Sequence, residues 1–206
     1  MPPHTQKPTL YLIDGHAQFF RAYYAIRGGM TSPVTGEPTH LTFGFVGMLL
    51  KLLRDDQPDY LAVAIDVSGD RGTFRSEIFP QYKANRDEPP EDFRPQVERC
   101  LSLLEQLQIP VIGVQGVEAD DVIASLVKRL RSVHPDLSIR IVSRDKDLTQ
   151  LLAEGVEMFD AHKDELVDPA DIFKTEGVKP EHVVDILALM GDTVDNIPGV
   201  PGIGPK

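Results

Sequence analysis

The 206-residue sequence has a single cysteine, Cys100, so no internal disulfide can form. That excludes a stapled secreted scaffold and fits a reducing cytosol. Cys100 lies in the helix-patterned run Pro95-Gln96-Val97-Glu98-Arg99-Cys100-Leu101, where a core thiol is expected rather than a nucleophile. No stretch approaches the ~18 apolar residues of a membrane span. The opening Met1-Pro2-Pro3-His4 has neither the apolar run nor the small-residue cleavage site of a leader, so an unanchored cytoplasmic protein is expected. There is no internal repeat and no low-complexity tract. A Walker loop and a dinucleotide fingerprint are also missing, because Gly199-Val200-Pro201-Gly202-Ile203-Gly204-Pro205-Lys206 follows no strand and lacks the Gly-Lys-Ser/Thr ending. Positive charge is scarce: 21 Lys and Arg face 32 Asp and Glu, a net charge of −11. That balance argues against indiscriminate nucleic-acid binding. The deficit is local, since residues 145–195 hold 14 acidic and 4 basic side chains.

What is present, at 41% hydrophobic residues, is the composition of a soluble globular chain of one domain or one and a part. Short aliphatic runs recur at Thr9-Leu10-Tyr11-Leu12-Ile13, Tyr60 to Ile65, Pro110 to Val114 and Ser138 to Val142. They are continuous rather than alternating, the habit of parallel strands covered on both faces by helices. Helical spacing fills Leu41 to Leu53, Phe93 to Leu107 and Asp120 to Val133, and two short helical stretches follow Asp168. The fold class expected is therefore α/β, with a mostly parallel central sheet flanked by helices. Residues 67–92 are too long for an ordinary connection and read as a mobile, functional excursion.

Three of these strands end in acid: Asp14 after the first, Asp66 after the second, and Asp145 with Asp147 after the fourth. Carboxyl ends of parallel strands share one edge, where open α/β folds place their ligands. The third strand leads into Glu118-Ala119-Asp120-Asp121, and Asp192 and Asp195 stand three apart, sharing a helix face if that turn is helical. Each acid alone has a plainer reading as a turn former, an N-cap or a solvated helix face. Jointly, nine carboxylates at one edge repel one another unless cations neutralise them. Hard oxygen donors without a His or Cys cluster select Mg²⁺ or Mn²⁺, and His16 and His162 stand in the wrong places for a zinc set. Such a site suits phosphate chemistry, with two ions stabilising the attacking and leaving oxygens of an in-line displacement.

Residues 71–86 carry four basic side chains and one acidic. Arg71, Arg75, Lys83 and Arg86 suit phosphate contacts, and Tyr82 offers a stacking face for an unpaired base. The segment directly follows Asp66 and can fold over the acidic edge. At the end of the chain, Gly199, Gly202 and Gly204 suit a hairpin whose backbone N–H groups approach a phosphodiester closely.

The blocks Leu12-Ile13-Asp14-Gly15, Ala64-Ile65-Asp66, Thr73-Phe74-Arg75, Tyr82-Lys83-Ala84-Asn85-Arg86, Gly116 to Val122, Asp145-Lys146-Asp147 and Leu187 to Gly204 together resemble the 5′-nuclease family of 5′–3′ exonucleases and flap endonucleases, in the form of the nuclease domain of bacterial DNA polymerase I. The resemblance runs from residue 9 to the end. It implies a PIN/5′-nuclease-like core over residues 1–178 with a helical arch at 67–92, and the first part of a helix-hairpin-helix element over 179–206. It implies a first metal cluster of Asp14, Asp66, Glu118, Asp120 and Asp121, and a second of Asp145, Asp147, Asp192 and Asp195. Lys83 and Arg86 correspond to residues contacting the scissile phosphate, Tyr82 to the aromatic near unpaired nucleotides, and the hairpin to a duplex grip that also holds K⁺. The implied substrates are branched or flap DNA and RNA–DNA hybrids with a free 5′ end, met by a monomer at the nucleoid or by a longer chain with an attached polymerase domain. The family continues beyond Lys206 through a second hairpin helix, so half of that grip lies outside this sequence. From the acidic edge alone, a PIN-like ribonuclease and a silent DNA-binding paralogue remain open, whereas a haloacid-type phosphatase wants a second Asp where His16 stands.

Overall fold

The computed structural model describes residues 7–26, 29–69, 72–173 and 178–204. In chain order the elements are β1 (Thr9–Asp14), α1 (Gly15–Ala25), α2 (His40–Lys51) continued by a π-helical turn (Leu52–Asp56), β2 (Tyr60–Ala64), α3 (Phe74–Ile78) and α4 (Phe93–Gln106). There follow β3 (Val111–Ile112), α5 (Ala119–Val133), β4 (Ser138–Val142), a 3₁₀ turn (Asp147–Leu151), β5 (Val156–Asp160), β6 (Glu165–Leu166), α6 (Pro169–Phe173) and α7 (Val183–Met190). The sheet order is β3-β2-β1-β4-β5-β6, parallel throughout except for the antiparallel β5–β6 pair. The expected α/β architecture is present.

The apolar runs behave as buried strands because β1 has a helical layer on each face. Tyr11 and Ile13 point to the side of α1, α2 and α4, in a core with Phe19, Leu41, Phe45, Val97 and Leu104. Leu10 and Leu12 point the other way, toward α5, in a core with Ile123, Val127, Ile139 and Ile141. With both sides of the pleat covered, the polar half of a two-residue period has no place to go. Cys100 is fully buried in the first core, and burial pushes its thiol up to about 11, so it packs as a small hydrophobe.

The structure extends the expected elements in two places. The aromatic run after Asp14 is helix α1, and β5 with β6 widens the sheet beyond β4. Strand β5 is hard to see in sequence because Glu157 interrupts its apolar run, yet that residue pairs with Arg140 on β4 across a 3.2 Å ion pair. Among the described residues, the excursion at 67–92 is less helical than the arch expected: α3 spans five residues and turns follow it.

Two features of this topology position the site. The chain steps outward from β1 to β2 to β3, then returns across to β4 on the other side of β1. The carboxyl ends of β1 and β4 therefore bound the crevice that such a reversal opens. At the end of β1 the turn into α1 is tight, and a Cβ on Gly15 would stand 2.8 Å from the Ala64 carbonyl oxygen. Only glycine lets α1 start this close to β2, which brings Asp14 beside Asp66. Among the described residues no helix is long and apolar enough to cross a membrane.

Ile139 is fully buried between the sheet and α5. Its truncation in Ile139→Ala should lower the unfolding free energy by about 2–5 kcal/mol, read from the urea midpoint by circular dichroism. A loss of less than about 1 kcal/mol would show that the site collapses around the cavity and that the second core is looser than described.

Candidate metal centre

The acids expected at one edge do meet there, each delivered by a local device. Asp14 is the last residue of β1 and the N-cap of α1, its Oδ1 accepting the Ala17 N–H at 3.1 Å. Asp66 follows β2, and its Oδ1 accepts the Ala119 N–H at 2.6 Å at the start of α5. Glu118 is the N-cap of α5, and Asp121 reaches back to accept the Glu118 N–H at 3.0 Å. The plain reading of these acids as caps is thus correct for several of them. Beyond β4, Asp145 Oδ1 accepts the Asp147 N–H at 2.9 Å.

Asp192 and Asp195 do not share a helix face. Helix α7 stops at Met190, and residues 192–197 form a turn closed by the antiparallel pair Asp192 and Ile197. The closure demands glycine on both sides: Gly191 has φ +69, and a Cβ on Gly199 would stand 2.1 Å from the Met190 carbonyl oxygen. Gly199 is therefore required by the turn itself, whereas Gly202, at φ +83, and Gly204 have open space around them. The turn brings Asp192 and Asp195 to Asp147, and one carboxylate oxygen from each of the three lies within 4.8 Å of the others.

Electrostatics ties the remaining acids into the same patch. Burial, and then the charges of Asp14, Asp145, Asp147 and Asp66, push Asp120 up to about 8. Asp14 is raised to about 6 by burial and by Asp145 and Asp66. Asp147 is raised to about 6 by burial and by Asp145, Asp192 and Asp195. Asp120 sits at the electrostatic centre of the group, and a cleft of about 150 Å³ opens beside it, lined in part by Glu118, Asp120, Asp121 and Asp147.

Against this patch lies the basic segment. Arg75 forms a bidentate pair with Asp121 at 2.5 and 2.8 Å, Lys83 Nζ meets Glu118 at 3.0 Å, and Arg86 meets Asp195 at 2.6 Å. Burial alone would raise Asp121, but the Arg75 guanidinium outweighs it and holds the carboxyl below its ordinary range. Main-chain contacts secure the segment, since the Lys83 N–H donates to the Asp195 carbonyl at 2.9 Å and Asn85 Nδ2 to the Thr193 carbonyl at 2.8 Å. Tyr82 is not the open stacking face expected. Its side chain is buried, and its hydroxyl stands 3.1 Å from Glu118 Oε2 and 3.0 Å from Asp195 Oδ2, one proton shared between two carboxylates. Arg71 lies outside the described residues.

Sequence reasoning missed three participants. Lys146 Nζ pairs with Asp192 at 2.6 Å, and although burial raises Asp192, the ammonium more than offsets it. His16 Nδ1 accepts the Asp66 N–H at 3.1 Å. The buried Ser143 donates its hydroxyl to Asp14 Oδ2 at 2.9 Å. Lys146 could have been singled out by its place between two acids; a serine or a histidine at a strand end gives no such signal.

The donor set fits a hard divalent cation. Glu118 Oε1 and Asp147 Oδ1 are buried oxygens with no hydrogen-bond partner among the described residues, and burial together with the charges of neighbouring acids shifts Asp14, Asp120 and Asp147 upward. A cation held by oxygen ligands satisfies both conditions.

A family model described as 5′-3′ exonuclease, N-terminal resolvase-like domain, matches residues 9–177. A second, described as 5′-3′ exonuclease, C-terminal SAM fold, matches residues 178–206. The chain is 41% identical over 204 residues to a DNA polymerase I of Rhizobium leguminosarum, covering 96% of this chain and 20% of that protein. It is 37% identical to a 5′-3′ exonuclease of Aquifex aeolicus, covering 96% of this chain and 66% of that one. Among solved structures it resembles the D15 flap endonuclease of bacteriophage T5, determined as a pseudo-enzyme–product complex with DNA and metal ions, with a TM-score of 0.73 at 25% identity over 95% of this chain and 71% of that chain. The chain thus spans about a fifth of the length of the polymerase relatives it matches.

The upward shifts set the sign of a pH effect. Asp14, Asp120 and Asp147 hold their protons more tightly when folded, so their contribution to stability is full below about pH 4 and is lost as pH rises through about 6 to 8. Asp160 works oppositely: burial raises it, but Arg21 and Arg144 outweigh that and hold it at about 2, so its contribution is lost only as pH falls below about 4. Melts in EDTA should give a lower midpoint at pH 8 than at pH 5, and Asp120→Asn should flatten the difference. An equal or higher midpoint at pH 8 would contradict the electrostatic account.

Proposed function

The chain belongs to the 5′–3′ exonuclease family, and from that premise we propose that it is a structure-selective 5′ nuclease that hydrolyses phosphodiesters in branched or flap DNA, and in RNA–DNA hybrids, with a free 5′ end. The observation that carries this reading is the convergence of Asp14, Asp66, Asp120, Asp145, Asp147, Asp192 and Asp195 at one sheet edge, with Arg75, Lys83 and Arg86 standing directly over it.

Asp14, Asp66, Glu118, Asp120 and Asp121 on one side, and Asp145, Asp147, Asp192 and Asp195 on the other, are the residues that would hold two or more Mg²⁺ or Mn²⁺ ions. Such ions, when bound, polarise the phosphodiester and stabilise the charge on its attacking and leaving oxygens. The protein's own part is positioning and charge. Lys83 and Arg86 sit on the segment lying against the carboxylates, within reach of a phosphate brought to that edge. Their cations offset the negative charge that builds on the phosphate during displacement, a preorganised electrostatic contribution. Arg75, anchored bidentately on Asp121, holds the segment in register with α5. Tyr82, buried between Glu118 and Asp195, orients those two carboxylates in this arrangement, and a stacking role for its ring would require the segment to lift.

Duplex docking falls to the hairpin. Gly202, with its positive φ, and the uncrowded Gly204 leave backbone groups open to a phosphate chain, while Gly199 shapes the turn that carries both the hairpin and the two acids. A K⁺ ion at the hairpin is read from the family resemblance. Recognition through backbone contacts makes the enzyme sensitive to shape rather than sequence. Removal of flaps and RNA primers at the nucleoid, by a monomer or beside a polymerase domain on one polypeptide as in the relatives named DNA polymerase I, is the setting this reading implies.

A 5′-labelled flap incubated with and without Mg²⁺ tests the reading directly: a shortened labelled fragment ending in a 3′-hydroxyl should appear only with the ion, the new 5′-phosphate staying on the duplex strand. Asp120→Asn and Asp145→Asn should each lower cleavage by at least about 10²-fold, and wild-type rates in either variant would remove the metal assignment. Lys83→Ala should reduce turnover by roughly 10²–10³-fold while changing substrate affinity little. An equal loss in both would make Lys83 a docking residue instead.

A further inference from the structure

The nine carboxylates belong to separate segments, and something must set the spacing between the strands that carry them. At the β1–β4 boundary that task falls to side chains that bear no charge. Ser143, the residue after β4, is 1% exposed. Its hydroxyl has one proton and accepting lone pairs, and both functions are used. The proton goes to Asp14 Oδ2 at 2.9 Å, and the oxygen accepts the Asp145 N–H at 3.0 Å. Asp145 in turn accepts the Asp147 N–H at 2.9 Å. An unbroken chain of hydrogen bonds thus runs from the end of β1, through Ser143, to the two acids of the β4 loop.

Gln18 of α1 holds the same junction from the other side, donating Nε2 to the Val142 carbonyl at 3.1 Å from a buried position. With the Ala17 N–H on its Oδ1 and Ser143 on its Oδ2, the Asp14 carboxylate cannot turn about its bond without breaking a contact. These contacts are dispensable for the sheet: β1 and β4 pair through their main chains from Thr9 to Ile13, and the Ser143 N–H is bonded to the Ile141 carbonyl. What the hydroxyl adds is the orientation of one acid relative to two others.

We propose that Ser143 is a positioning residue of the metal centre, whose hydroxyl locks Asp14 to the loop of Asp145 and Asp147 so that acids from two strands present one preorganised set of oxygens. The inference rests on the metal reading above. Partners that orient ligand side chains ordinarily matter for affinity nearly as much as the ligands do. Threonine keeps the hydroxyl, alanine deletes it, and valine keeps the branched shape of threonine without it.

The test is calorimetric titration of Mn²⁺ into the metal-free protein and its Ser143→Ala, Ser143→Thr and Ser143→Val variants, with thermal melts in EDTA confirming that each is folded. The expected result is a 10–100-fold weaker affinity in the alanine and valine variants and recovery to within about threefold of wild type in the threonine variant. Wild-type affinity in a folded alanine or valine variant overturns the proposal, as does a threonine variant as weak as valine. If the wild-type protein itself takes up no Mn²⁺, the metal reading fails and this inference with it, an outcome distinct from a defect that never appears at position 143.

Discussion

The constraint on which the structure turns is the mutual repulsion of carboxylates gathered at the carboxyl end of one sheet. Asp120 is the clearest case, shifted upward by burial and by Asp14, Asp145, Asp147 and Asp66 together. A fold that gathers such charges must offset the cost, and most of the acids here have a local support. Backbone N–H groups at helix starts bind Asp14 and Asp66, which is where a helix dipole favours negative charge. Arg75, Lys83, Arg86 and Lys146 bind Asp121, Glu118, Asp195 and Asp192. The supports are incomplete at Asp14, Asp120 and Asp147, and that incompleteness is what makes the patch receptive to cations.

Asp160 supplies the contrast. It too ends a strand of the same sheet and is buried, but Arg21 and Arg144 both reach it, at 2.8 and 3.1 Å, and its carboxyl sits low, at about 2. Asp160, at 1% exposure, is no less buried than Asp14 at 5%, so the difference lies in the sign of the surroundings. A fully compensated acid is structural cement, whereas acids left to repel one another favour a counter-ion.

Much of the architecture was legible in the residues. The continuous aliphatic runs announced strands covered on both faces, and the acids that close three of them announced the functional edge. The signals failed where long-range contact decides. Glu157 reads as a break in a strand until Arg140 is placed across from it. Asp192 and Asp195 read as a helix face, but Gly191 takes a positive φ and the backbone closes on Gly199, so the pair is presented by a turn. Tyr82 reads as an exposed ring among cations because its partners, Glu118 and Asp195, are distant in the chain. Ser143 gives no signal at all, since a small polar residue at a strand end has meaning only through what lies beside it.

The sequence by itself determined the α/β class, the residues able to bind a cation and the excess of positive charge in the segment that faces them, because these depend on residue type, hydropathic pattern and strand order along the chain. The tertiary structure alone decided which acids share a centre, which cations lie over it and which neutral side chains hold it in register. The physical reason is range. Periodicity and capping act over a few residues, while the Coulomb and hydrogen-bond terms that shape the site join residues 129 positions apart, as between Ser143 and Asp14, and those pairs exist only once β4 has crossed to the far side of β1.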